Sequence, residues 1–179
     1  LTALLAAVFL AATYAGSAAA APAKGFTVAK PEEWKEIPDE EEPLVFFTRE
    51  GWHKQFILVQ QRPLSKPFQF TQRQIEKGMT PEQAAEVILN EIAADQNIRD
   101  FKLLEKGEVQ IAGQRGFRLA FVYTDPDNYI FKINLLGFIH GDSVFGLRYG
   151  ATSEELFQKD WKTFQEVLQS FKLTARKAM

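Results

Sequence analysis

The stretch GFRLAFVYTDPDNYIFKINLLGFIHGDSVFGLRYG, residues 116–150, decides the fold. It reads as three strands joined by two turns. Phe117, Leu119, Phe121 and Tyr123 alternate with Arg118, Ala120 and Val122, the period-two pattern of a strand with one face on a core. Asp125-Pro126-Asp127-Asn128 is turn chemistry. Tyr129–Ile139 is the second strand, with Phe131, Ile133, Leu135 and Ile139 on one face. Gly137 leaves a gap in that face, the mark of a bulge or of close packing. Val144–Tyr149 is the third. Strands joined this closely lack the crossovers that a parallel sheet needs, so they pair antiparallel.

The turn before the third strand is where visible chemistry would sit. It holds His140, one of two histidines in the chain, followed by Gly141 and Asp142. Glycine reaches positive φ and aspartate bonds the neighbouring backbone, so the triplet reads as a tight turn. A metal site needs three or four converging ligands. The other histidine, His53, falls in a second hairpin turn, and His53, His140 and Asp142 meet only if both turns lie at one end of the sheet. They are minor metal candidates, and no metal or other cofactor is expected. Ser143 beside His140 does not make a nucleophilic triad, because no G-x-S-x-G elbow presents it. No phosphate-binding glycine motif is present either.

Outward toward the N-terminus, Lys102–Ile111 is a strand closed by the turn AGQRG. Before it, Thr80, Pro81 and Gln83 form a capping box, and Ala84, Ile88 and Ile92 make an apolar stripe, predicting a helix over 81–95. Residues 63–80 are a long polar connection, expected to be partly mobile. Leu44–Thr48 and Phe56–Arg62 read as a hairpin, and Phe26–Ala29 as a short strand, with Trp34 in a turn after it. Toward the C-terminus, Thr152 can cap a second helix carrying Phe157, Trp161, Phe164, Leu168 and Phe171 at spacings of three and four. Arg148, a charge in mid-strand, is expected on a solvent-facing edge.

The chain has 179 residues, no cysteine, 46% hydrophobic residues and 16 phenylalanines, enough apolar material for one core. Without cysteine there is no disulfide, thiol nucleophile, thiolate metal site or lipobox. Net charge is −2 with no basic block, which argues against nucleic acid as a partner. Residues 1–23 carry no charge, and an apolar run is followed by small residues, as in a secretory signal peptide cleaved after Ala21 or Ala23. No Met or basic region stands before Leu1, so a few more residues are expected ahead of it. The apolar run is too short to span a bilayer, and no stable membrane anchor is expected after cleavage. The expected plan is a signal peptide over 1–23, one domain over 24–173 and a polar tail over 174–179.

Two surface features are candidates for recognition. Trp52 and His53 share a hairpin tip, where function often sits. Asp39, Glu40, Glu41 and Glu42 form an acidic loop between Pro38 and Pro43, which lacks the spacing of a calcium loop and reads as a solvated run or a docking patch for a basic partner. The second-helix aromatics read more simply as core than as a ligand-lining set.

The pattern resembles the PsbP-like family, named for the extrinsic lumenal subunit of photosystem II, whose fold is shared with a Ran-binding nuclear import factor. The resemblance rests on FTVAKPEEW with Pro31 and Trp34, LVFFTRE followed by FILVQQRPL, MTPEQAAEVI, VQIAGQRGFRLAFVY and FQEVLQSFKL. It implies an α+β fold, an antiparallel sheet of six or seven strands sandwiched between helices. It also implies a non-enzymatic accessory role in an extracytoplasmic space. Some members bind metal ions, but no ligand set carries over to residues of this chain. Only Lys24 and Gly25 separate the signal peptide from the first strand, where the photosystem subunit has an extension, so the resemblance does not reach to oxygen evolution. The function expected is an exported, non-catalytic domain that binds another envelope protein. The alternative is a binder of a small apolar ligand or lipid in a cleft between sheet and helix, with a metal-binding protein or hydrolase behind it. Oligomeric state is not set by the sequence.

Overall fold

The computed structural model describes residues 25–38 and 44–174. The expected signal peptide, the acidic residues Asp39, Glu40, Glu41 and Glu42, and the tail beyond Thr174 lie outside the described residues. The elements in chain order are β1 (Phe26–Thr27), β2 (Lys35–Ile37), β3 (Leu44–Thr48), β4 (Gln55–Pro63), α1 (Pro81–Ala94), β5 (Arg99–Ile111), β6 (Gln114–Thr124), β7 (Ile130–His140), β8 (Ser143–Ala151), α2 (Glu154–Ser170) and β9 (Lys172–Leu173). Seven strands form one sheet in the order β2-β3-β4-β8-β7-β6-β5, and β1 pairs with β9 in a separate ribbon. Every pairing is antiparallel. The α+β fold expected from the meander is the fold observed.

Strand parity sends side chains to two cores. One holds Phe46, Leu58, Phe117, Leu119, Phe121, Ile133 and Leu135 under α1. The other holds Phe47, Ile57, Phe138, Phe145, Leu147 and Tyr149 under α2 and the ribbon. Gly137 is a site of close packing. A Cβ there would lie 2.3 Å from the Phe117 ring.

α1 starts as expected. Thr80 Oγ1 accepts from Gln83 N–H, and the Gln83 side chain accepts from Thr80 N–H. The cap of α2 is Ser153, not Thr152: Ser153 Oγ accepts from Leu156 N–H. The helix ends at Ser170, leaving Phe171 as its C-cap. Its buried face is Phe157, Asp160, Phe164 and Val167, with Trp161 and Leu168 at the margins. The apolar stripe is therefore shifted by one residue, and a carboxylate lies within the buried face.

Two further expectations are corrected. Arg148 is not at an edge. It lies on β8, the middle strand, only 4% exposed, with its guanidinium 5.6 Å from the centre of the Phe56 ring. Residues 64–79 are pinned. Leu64, Phe68 and Ile75 enter the core. Glu91 of α1 accepts from Phe70 N–H, Thr71 N–H and the Thr71 hydroxyl at 2.8–2.9 Å, and Arg62 donates to the carbonyls of Lys66 and Pro67.

Candidate functional site

The two histidine turns lie at opposite ends of the sheet. Gln55, at the start of β4, pairs with Ala151, and Pro63, at its end, pairs with Ser143. His53 and His140 are thus separated by the length of β4, roughly 26 Å at the usual rise per residue. At the His140 end, Asp142 faces Lys77 at 3.1 Å, both exposed, and Ser143 Oγ accepts from Gln61 at 3.1 Å. Among the described residues, no three His, Cys, Asp or Glu side chains converge as a metal set.

The His53 end is built differently. Thr48 Oγ1 donates to the Gln55 carbonyl at 2.8 Å and accepts from Gly51 N–H at 3.1 Å. Gly51 turns the chain at φ +109°, a conformation that favours glycine, and a Cβ there would sit 2.7 Å from His53 Cε1 and displace the ring. Thr152 donates through its backbone N–H to the Lys54 carbonyl at 2.9 Å. Arg49 reaches across to the buried Asp160 on α2 at 2.8 Å. These contacts tie the Trp52–His53 turn to the helix.

A second turn meets it. Asp125 Oδ1 accepts from Tyr129 N–H at 2.8 Å, and Arg99 donates to Asn128 Oδ1 at 2.7 Å. The Trp52 and His53 rings are 5.8 Å apart and nearly perpendicular, and the His53 and Tyr129 rings are 5.9 Å apart. Tyr129 is 41% and Ile130 is 62% exposed. The tip is a row of three rings with an open aliphatic residue following in the chain.

Beneath the tip, on the α1 side, six aromatic rings run across the sheet in the order Phe46, Phe56, Phe131, Tyr123, Phe121, Phe101, each 5.6–6.2 Å from the next. β8 crosses this row at Gly150, where a Cβ would lie 2.6 Å from Phe56 Cζ. The row gives the tip a rigid floor. Beside its Tyr123 lie Arg148 and Asp95. Burial pushes the Tyr123 hydroxyl up and the Arg148 guanidinium down, the latter offset by Tyr123 and Asp95. Burial also raises Asp95, against its hydrogen bonds from Asn97.

Of the sequence candidates, Trp52 and His53 sit together at this surface, His140 and Asp142 sit at the far end, and Glu40, Glu41 and Glu42 are outside the described residues. Tyr129 and Ile130 were missed. Their signal was parity: Ile130 shares the phase of Lys132 and not of Phe131 and Ile133, which leaves an aliphatic residue off the α1-side face. The ground around the tip is mixed in charge, with Glu50 near both Lys54 and Lys159, and Lys132 on Glu154. Such a surface offers rings and apolar area for contact, with its charges locally compensated.

Comparison with known structures places the fold. The solution structure of cyanobacterial PsbP (CyanoP) from Synechocystis sp. PCC 6803 superposes with a TM-score of 0.57 at 13% identity, covering 90% of this chain and 98% of that one. LpqN of Mycobacterium tuberculosis, involved in cell envelope biogenesis, gives 0.54 at 10% identity, with 84% and 83% covered. The Ran-binding protein Mog1p of Saccharomyces cerevisiae gives 0.52 at 10% identity, with 83% and 90% covered. At such identities the likeness is one of fold alone. No curated protein sequence matches the chain. The PsbP family model matches residues 20–173, from before β1 to the end of β9. A match over that span, on a fold shared with a cyanobacterial PsbP, means that the chain belongs to the PsbP family.

Proposed function

We propose that this protein is an exported, non-catalytic accessory domain that binds another envelope protein through the tip formed by Trp52, His53, Tyr129 and Ile130. The observation that carries this reading is the pair of turns, each held by its own hydrogen bonds, that present adjoining rings and an exposed Ile130. A surface fixed before binding loses little conformational freedom on association, and aromatic residues are the usual anchors of protein interfaces. The uncharged segment 1–23 supports export, with cleavage after Ala21 or Ala23, and the envelope role printed for LpqN is in keeping with it. Among the described residues no helix is long and apolar enough to cross a membrane.

The two clefts seen among the described residues do not favour the lipid-binding alternative. The two clefts described hold about 180 and 210 Å³, below the roughly 300 Å³ at which pockets begin to enclose a drug-sized ligand. The distance between the two histidines removes the support of a second imidazole from the metal reading.

The test uses the full chain, expressed with its own N-terminal segment. A photo-crosslinking residue at position 130 is expected to trap one envelope protein, and the same residue at Glu105 is not. Tyr129→Ser with Ile130→Ser should abolish the adduct at position 52 while moving Tm by less than about 2 °C, since exposed residues contribute little to stability. Equal adducts from positions 130 and 105, or none from either, would sink the reading. Fractionation and N-terminal sequencing of the same cells test export and the cleavage site.

A further inference from the structure

The large sheet has β2 and β5 as its edge strands. β2 is 3 residues long and β5 is 13. Among the described residues β5 pairs with β6 alone, so its outer edge is open. The first half of that edge is broken by register shifts between Arg99 and Lys102 and between Leu103 and Glu105, and by Asp100 at φ +53°. Such bulges spoil an edge for further pairing. From Glu105 to Ile111 the register against β6 runs without a shift.

The hairpin that closes this stretch fixes which groups point outward. Ala112 and Gly113, at φ +48° and +76°, form the two-residue turn between Ile111 and Gln114. The pair that flanks such a turn exchanges its hydrogen bonds within the hairpin, and bonded and non-bonded pairs alternate from there. The backbone groups of Ile111, Val109, Gly107 and Glu105 therefore face β6, and those of Lys106, Glu108 and Gln110 face the open edge. Lys106 and Glu108 stand on the α1 side, opposite the core residues Leu119 and Phe117. Gly107, between them, answers no need of its own fold. Its φ is not left-handed, and a Cβ there would meet nothing within 4 Å. Glycine in mid-strand costs stability and often marks the close approach of another backbone.

We propose that β5 pairs antiparallel with β5 of a second copy of this chain, about a two-fold axis at Gly107. Outward-facing groups must meet outward-facing groups, which leaves few registers. An axis at Lys106 sets lysine against lysine, and one at Glu105 or Glu108 sets a glutamate against itself. An axis farther on runs into the hairpin turn. The axis at Gly107 sets each Lys106 opposite Glu108 of the other copy, and opposite charges directly across a ladder are favourable. The pairs already present extend this match. Lys106 meets Glu82 and Glu86 of α1, and Glu108 meets Arg115 at 3.0 Å, so the row across the axis alternates carboxylate, ammonium, carboxylate, guanidinium. The two glycines then form a non-hydrogen-bonded pair, where strands come closest. The axis stands perpendicular to the sheet, so both α1 helices lie on one side. α1 packs mainly on β6, three strand spacings from β6 of the second copy, roughly 14 Å, and the helices do not collide.

The test is sedimentation equilibrium of the protein expressed with its own N-terminal segment. It should show monomer and dimer in balance, with a Kd on the order of 100 μM, since the contact is smaller than a standard interface. Lys106→Glu and Glu108→Lys should each leave a monomer, the first by making the edge wholly acidic at these positions and the second by making it wholly basic. Mixed in equal amounts, the two variants should recover the dimer, because the acidic edge then meets the basic one. A photo-crosslinking residue at Glu105, which faces Val109 of the second copy in this register, should trap this chain itself. The proposal is overturned if the unmodified protein stays monomeric at millimolar concentration, if both variants dimerise alone, if their mixture stays monomeric, or if no self-adduct forms at position 105. An adduct with a second copy differs in mass from any envelope protein trapped at position 130, so this inference and the reading of the tip fail separately.

Discussion

At the scale of the residue, Arg148 and Asp95 carry the clearest lesson. On β8, Phe145, Leu147 and Tyr149 form an obvious buried face, which makes the opposite phase, Val144, Gly146, Arg148 and Gly150, look like a solvent face. A strand covered on both sides defeats that reading, because the second face has one valine, two glycines and a charge to announce it. Asp95, at the C-cap of α1, is 3% exposed, and its Oδ2 has no hydrogen-bond partner. Its pKa is raised by burial, partly relieved by Asn97. An acid with a raised folded pKa holds its proton more tightly in the native state than in the unfolded one. Its charge is therefore a penalty, full above the folded pKa, and stability from this group rises as pH falls through that value. Asp95→Asn keeps an acceptor for Asn97 and removes the charge. It should raise Tm at pH 7 and flatten the gain in Tm otherwise seen on acidifying toward about pH 4, the unperturbed carboxylate range. Melting curves across pH 4–8 check both. A lower Tm for the variant at pH 7 would mean that attraction to Arg148 outweighs the cost of burial.

At the scale of the element, what was legible is what local chemistry dictates. The capping box at Thr80 and Gln83, the alternation of β6 and the turn at Gly141 are written in neighbouring residues. The 64–79 segment is not. The members that enter the core, Leu64, Phe68 and Ile75, follow no period, and the segment is held by Glu91, 20 residues from Thr71. A carboxylate that is 2% exposed and accepts two backbone N–H groups and a hydroxyl acts as a clamp on the segment. Glu91→Ala would strand those donors, at a cost of about 2–4 kcal/mol. The amides of Phe70 and Thr71 should lose hydrogen-exchange protection first, ahead of those in β8. Protection lost equally throughout would mean that the segment is not a separately opening unit. The shift in the α2 stripe has a related cause. Asp160 is accommodated in the buried face by Arg49, on a turn more than 100 residues earlier, and by the side chain of Gln55, which donates to it.

At the scale of the whole molecule, the site and the joining of β1 to β9 are both products of topology. Trp52 and His53 could be read as a tip, but Tyr129 comes to them only because β8 alone separates β4 from β7 and Gly150 lets the aromatic row pass across it. The ends of the domain are joined in the same non-local way. Phe26 pairs with Leu173, Ala29 N–H donates to Ser170 Oγ at 2.9 Å, and Thr174 N–H donates to the Gly25 carbonyl at 3.0 Å. The Phe26 ring, 2% exposed, stacks on Phe171 at 5.6 Å and meets Phe145 edge-on at 6.3 Å. The ribbon is therefore a lid on the α2-side core, and two residues of strand hold it through one buried ring. Phe26→Ala should cost about 3–5 kcal/mol and lower Tm by roughly 10 °C or more for a domain of this size. The same loss should follow from starting the chain at Lys30, whereas a chain starting at Lys24, as cleavage after Ala23 would leave it, should melt like one starting at Pro22. Urea unfolding of the four proteins tests this. If the chain starting at Lys30 is as stable as the one starting at Lys24, β1 is an ornament on the α2-side core and not its cover.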